Sequence, residues 1–221
     1  MKSMTRVAAL TFVLVAAGTA AKADLISWNT WTSDSGGSMV VGLTPVTVTF
    51  STASYHQDIA NYPSWTPAST YADGVVVGNA PVSSNGIMQL TGGNSNLNTL
   101  TFSTPVLNPD IAIWSLGSGG VPASFVFNAT PVFVAGGPSA EYGGSAITVS
   151  GNTVSGSEGN GTVQFLGSFS TISWINPAYE NWYGFNVGAP SVGVAVPEPS
   201  SAILMLAGAV CFVAARVFRR K

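Results

Sequence analysis

Between residues 24 and 195 the chain contains no Lys, no Arg and no Cys; all seven Lys and Arg flank that stretch, and the single Cys is Cys211. A body built this way cannot form a Lys or Arg ion pair, close a disulfide or hold a metal through thiolates. Apolar burial and hydrogen bonds must stabilise it, and about 170 residues can bury enough surface to do so. Eight of the nine acidic residues also lie in this stretch. Nucleic-acid binding needs Lys and Arg to neutralise phosphates and is excluded. Arg clamps for anionic substrates, Lys Schiff bases and phosphate-loop lysines are excluded with it.

No amphipathic helical period is sustained in the body. Short runs of β-branched and aromatic residues alternate instead with Gly, Asn, Ser and Pro clusters, the pattern of a sandwich or barrel. Strands are predicted over residues 38–43, 46–51, 74–77, 87–90, 99–103, 110–116, 123–128, 132–135, 146–150, 153–155, 162–166, 171–175 and 183–187. Gly151-Asn152 between β-branched runs predicts a tight hairpin, and Glu158-Gly159-Asn160-Gly161 predicts a further turn. Ile172 and Trp174 alternate with hydroxyl residues, so one face of that strand should pack inward. Pro45 suggests an edge or a bend. The expected fold is all-β, an antiparallel β-sandwich of jelly-roll type over residues 24–188, followed by a short linker at 189–196. Residues 54–72 form the longest irregular stretch.

The two ends carry targeting signals. Lys2 and Arg6 precede an apolar run that closes on Ala21-Lys22-Ala23, the small-x-small pattern of a signal-peptidase site, which places a signal peptide at 1–23 with cleavage after Ala23. At the other end, Pro197 and Pro199 hold Pro197-Glu198-Pro199 extended. An uncharged run at 200–215 can satisfy its own backbone as a transmembrane helix, near the lower length limit for spanning. Arg216, Arg219, Arg220 and Lys221 then keep that end cytoplasmic, so the body lies outside.

The tail at 197–221 closely resembles the PEP-CTERM sorting signal of Gram-negative bacteria. The resemblance implies export, transient anchoring by the C-terminal helix, processing by the membrane protease-transpeptidase exosortase, and a destination at the cell surface or outside the cell. A plain C-terminal anchor is the alternative. Ile113-Trp114-Ser115-Leu116, Phe125-Val126-Phe127 and the stretch 165–188 also resemble small β domains common among PEP-CTERM proteins, a resemblance that carries over no catalytic residue.

Within the body, His56 is the sole imidazole and Asp58 lies two residues away, but no Gly-x-Ser-x-Gly elbow accompanies them. Scattered acids offer carboxylate pairs for a glycosidase without fixing one. Calcium is the cation such loops suit, with Asp24, Asp110 and Glu180 as candidate ligands; no other cofactor is expected. All six Trp are in the body. Trp114 and Trp174, both in predicted strands, are expected in the core. Trp65, Tyr62, Trp182 and Tyr183 are candidates for stacking on sugar rings, with Trp65 expected to be the most exposed. The leading expectation is a non-enzymatic protein of the cell surface or exopolysaccharide matrix. A carbohydrate-binding module is the alternative, and an extracellular hydrolase a further one.

Overall fold

Alternation decides the inward faces. In Thr44–Ser51 the side chains of Val46, Val48 and Phe50 are buried and those between them are exposed, as a period of two requires. A computed structural model of the protein describes residues 23–63 and 65–191. The expectations for Ala21, for Pro197, Glu198 and Pro199, for the apolar run at 200–215 and for the basic end lie outside the described residues.

Sixteen strands are present among the described residues. They are β1 (Ile26–Trp28), β2 (Thr30–Ser33), β3 (Gly36–Val41), β4 (Thr44–Ser51), β5 (His56–Ile59), β6 (Ile87–Leu90), β7 (Asn98–Leu107) and β8 (Asp110–Leu116). There follow β9 (Ala123–Phe127), β10 (Val132–Gly136), β11 (Ser145–Ala146), β12 (Thr148–Ser150), β13 (Thr153–Gly156), β14 (Gly159–Gln164), β15 (Ser168–Ile175) and β16 (Tyr183–Pro190). One sheet runs β10-β14-β8-β16-β6-β5, with β1 added beside β16 and β11 beside β14; the other runs β12-β13-β9-β15-β7-β4-β3-β2. Every pairing is antiparallel except β11 with β14. The fold is therefore all-β, two sheets closing on one core as a sandwich does. Among the described residues no helix is long and apolar enough to cross a membrane.

Trp174 on β15 is the hub of that core. Its ring stacks on Phe50 at 5.9 Å, meets Phe185 edge-on at 5.2 Å, and lies 5.6 Å from both Phe125 and Phe127. Phe50 and Phe125 come from one sheet and Phe185 from the other, so the indole ties the two together. Its N–H donates to Asn176 Oδ1 at 3.0 Å, an oxygen that also accepts from Asn98 Nδ2.

Some boundaries differ from expectation. β5 lies inside the stretch predicted irregular, and β1 and β2 also form without a predicted strand. Residues 74–77 are a loop, because Asp73 Oδ1 accepts the backbone N–H groups of Val75, Val76 and Val77 at 3.0, 2.9 and 2.9 Å. Ladder pairing would leave those donors no freedom to do so. The expected turn at 158–161 is the bulged start of β14, whose register shifts between Gly159 and Gly161. β16 continues into the expected linker because Pro190 pairs with Ile26. The Gly151-Asn152 hairpin is present, with Gly151 at φ 59°.

Replacing Trp174 with Ala should cost about 3–5 kcal/mol of unfolding free energy, the range for deleting a large buried aromatic. Leu166→Ala, at an exposed position, should change it by less than about 0.5 kcal/mol. Denaturant titration of both variants checks the contrast, and equal losses would show that Trp174 is not the hub.

Candidate functional site

On β8 the side chains of Ile111 and Ile113 enter the central core, while Ala112 and Trp114 face outward into a second apolar cluster. The alternation then breaks. Ser115 adopts φ 52° and the pairing with β14 slips by one residue, which returns Leu116 to the central core. Asn160, fully buried, holds this bulge: its Oδ1 accepts from Ser115 N at 2.8 Å, and its Nδ2 donates to the carbonyls of Gly143 and Glu158 at 3.2 and 2.9 Å. The turn ending in Gly143-Gly144 is thereby fixed beside Trp114. A side chain on Gly144 would run into the Glu158 carbonyl.

Three rings close over Trp114. Tyr62 lies 5.2 Å away at 77°, Tyr142 at 5.4 Å and Trp182 at 6.0 Å; Tyr62 and Trp182 also meet each other edge-on at 6.0 Å. Trp114 is buried, Tyr62 and Trp182 are half-buried, and Tyr142 is exposed. The buried indole N–H of Trp114 has no partner among the described residues. Tyr62 Oη donates to Glu141 Oε1 at 3.2 Å. The result is an aromatic surface with a partly wet rim and a carboxylate at its edge.

Two more carboxylates stand at the same end of β8. Ser115 Oγ donates to Glu158 Oε2 at 2.7 Å, and Gly117 N–H donates to Glu180 Oε2. Burial pushes Glu180 up to about 7, helped by the Glu158 charge and opposed by the Gly117 hydrogen bond. At the other end of β8, Asp110 is wholly buried, and among the described residues Gln164 Nε2 donates to its Oδ1 at 3.2 Å. Burial, with smaller contributions from Asp24 and Asp73, holds its carboxyl well above the usual range. Burial alone would also raise Asp73, but the N–H groups of Val77, Val75 and Val76 outweigh it and hold that carboxyl below its ordinary value.

Tyr62 and Trp182, both named from sequence, are brought together here. Trp65 is not exposed: it is 3% accessible, its Nε1 donates to the Gly86 carbonyl at 3.2 Å, and its ring meets Tyr71 at 5.2 Å. Its loop lies down on the outer face of the sheet, where the ring forms part of the second cluster. Tyr183 is also fully buried. It follows Trp182 onto the opposite side of the chain and packs against Phe125 at 5.6 Å. Asp24, Asp110 and Glu180 do not share one site, because Asp110 and Gly117, where Glu180 binds, are separated by the length of β8, roughly 20 Å. Among the described residues no group of three or more His, Cys, Asp or Glu side chains is placed to hold a metal. His56 uses Nδ1 to donate to the Ser54 carbonyl at 2.9 Å and sets its ring edge-on to Phe50. Tyr142 and Glu141, which share this rim, were not named from sequence. The signal was available in Ile111-Ala112-Ile113-Trp114-Ser115-Leu116, whose apolar spacing breaks after Trp114.

Because Glu180 and Asp110 bind protons more tightly in the folded state, their contribution is full below their unfolded values and is lost as pH rises through the folded ones. For Glu180 that window runs from 4.5 to about 7. The melting temperature should fall across it, and Glu180→Gln should flatten the fall; a calorimetric profile as steep in the variant as in the parent would contradict the assignment. Asp73 acts in the opposite sense, its stabilisation disappearing only as pH drops through its lowered value.

No curated protein and no solved structure matches the chain. The family model of the PEP-CTERM protein-sorting motif matches residues 195–221, starting four residues past Ser191, the last described residue. The chain carries the PEP-CTERM sorting tail and is an exported protein of the exosortase-sorted kind.

Proposed function

We propose that the body is a non-enzymatic, saccharide-binding domain of the cell surface or exopolysaccharide matrix, and that it binds uncharged sugar rings over Tyr62 and Trp182. The observation that carries this reading is the partly exposed ring pair braced on Trp114, whose N–H has no partner among the described residues. Sugar rings present C–H faces to aromatic surfaces and hydroxyls to the polar groups around them. Glu141 lies at the rim as an acceptor for a hydroxyl. The absence of Lys and Arg from the body argues against acidic polysaccharides, which its exposed carboxylates would repel.

A hydrolase is the second reading, favoured by one observation: Glu158 and Glu180 stand together at the end of β8, held by Ser115 and Gly117, and burial raises Glu180 to about 7. A carboxyl that burial keeps protonated, set beside a second carboxyl, suits an acid and its partner.

In affinity electrophoresis the protein should be retarded by a neutral polysaccharide. Trp182→Ala should weaken retention by roughly tenfold, the scale of losing one aromatic contact of about 1.4 kcal/mol. Retention unchanged by Trp182→Ala, or absent on every neutral polysaccharide tried, would overturn the binding reading. Release of reducing ends, abolished by Glu180→Gln, would replace it with the hydrolase.

A further inference from the structure

The described body begins and ends at one place. β1 pairs antiparallel with β16, setting Ile26 opposite Pro190. Ser191 then donates its N–H to the Leu25 carbonyl at 2.7 Å and accepts from Gly42 N at 2.6 Å. Beside this point, Asp24 donates its N–H to the Val76 carbonyl at 3.1 Å and accepts from Gly78 N at 2.7 Å.

Large apolar side chains crowd the same end. Leu43, next to Gly42, is 100% exposed; Leu25 is 54% exposed; Val75 and Val76 are 69% and 39% exposed. All four are within two residues of backbone groups bonded to Ser191 or Asp24. The two valines are not on a slack loop, because the three N–H groups gathered by Asp73 Oδ1 hold it in shape. Leaving such side chains in water forgoes the free energy that their burial would release. Exposed apolar groups scattered singly need no explanation, whereas a gathered set marks a contact surface.

The chain outside the described residues says what that surface meets. Only residues 192–199 separate Ser191 from the apolar run that begins at Ser200. Fully extended, those eight residues reach at most about 28 Å. With the tail in a bilayer, the Leu25–Leu43–Val75–Val76 end is the end of the body nearest to lipid. Asp24 and Asp73 stand at its rim and no Lys or Arg accompanies them, so the surface suits zwitterionic headgroups rather than anionic ones.

We infer that Leu25, Leu43, Val75 and Val76 form a membrane-seating face, which rests in the headgroup region of a zwitterionic bilayer while the tail is anchored. The inference rests on the sorting-tail reading and adds a second, non-covalent contact between body and membrane. Seated this way, the body has a fixed orientation on the lipid surface instead of swinging on its linker.

The test uses the full chain carrying Cys211→Ser, reconstituted into phosphatidylcholine vesicles that contain nitroxide-labelled phosphatidylcholine. One sample bears a fluorophore on Leu43→Cys. The other bears it on Tyr179→Cys, an exposed site near the far end of β16. The label at 43 should be quenched several-fold more than the label at 179. Equal quenching in a chain that floats with the vesicles would overturn the seating face and leave the anchor standing. A chain that does not float would overturn the anchor and the proposal with it. Protection of position 43 only in vesicles that also contain exosortase would assign the face to the enzyme and overturn the lipid assignment.

Discussion

The two sheets are held together by aromatic rings meeting across their interface, and Trp174 is where those contacts converge. In a chain whose body has no Lys, Arg or Cys, no ion-pair network or disulfide can compensate for poor packing. The rings bury large areas, and their edge-on arrangements add about 0.5–1.5 kcal/mol each beyond that area. Buried amides do the directional work that charges do elsewhere. Asn176 accepts from Trp174 and Asn98 while donating to the Ser124 carbonyl at 2.9 Å. A buried amide that keeps its partners fixes one arrangement of the chain around it.

The second cluster depends on the first. With the central core in place, the outer face of β8 and β16 becomes a platform for residues 60–86. Gly184 and Gly188 make close approach possible there, since a methyl group at either would meet Ile87 or Ile26 at 2.5 Å. Between them on the same face, Asn186 Nδ2 lies 3.1, 3.2 and 3.1 Å from the carbonyls of Asn29, Asn85 and Gly86. One side chain thus pins the outer layer to a central strand. The Trp114 surface is the rim of that layer, and its geometry follows from the β8 bulge.

Strands were legible where burial is one-sided. Val46, Val48 and Phe50, and again Ile172 and Trp174, write their period directly into the sequence. β5 was not, because His56-Gln57-Asp58-Ile59 lies at a sheet edge and buries too little to show a pattern. Trp65 misled for a related reason: its neighbours are those of a surface loop, while the atoms that bury it come from residues such as Tyr71 and Gly86. Tyr62 and Trp182 were each suspect from sequence. They meet each other over Trp114, and nothing local in a chain of this length records that contact. The sorting tail was legible because its meaning resides in contiguous residues.

β16 begins beside the Trp114 surface, one residue after Trp182, and ends one residue before Ser191. It is flanked by β8 on one edge and by β6 and then β1 on the other. A pull between a matrix strand held at the aromatic rim and a tail held in the membrane would therefore travel along this single strand. It would load the flanking hydrogen bonds together in shear, and they would share the force instead of opening one after another. On the proposed reading, force between a bound saccharide and an anchored tail would run through the centre of the sheet.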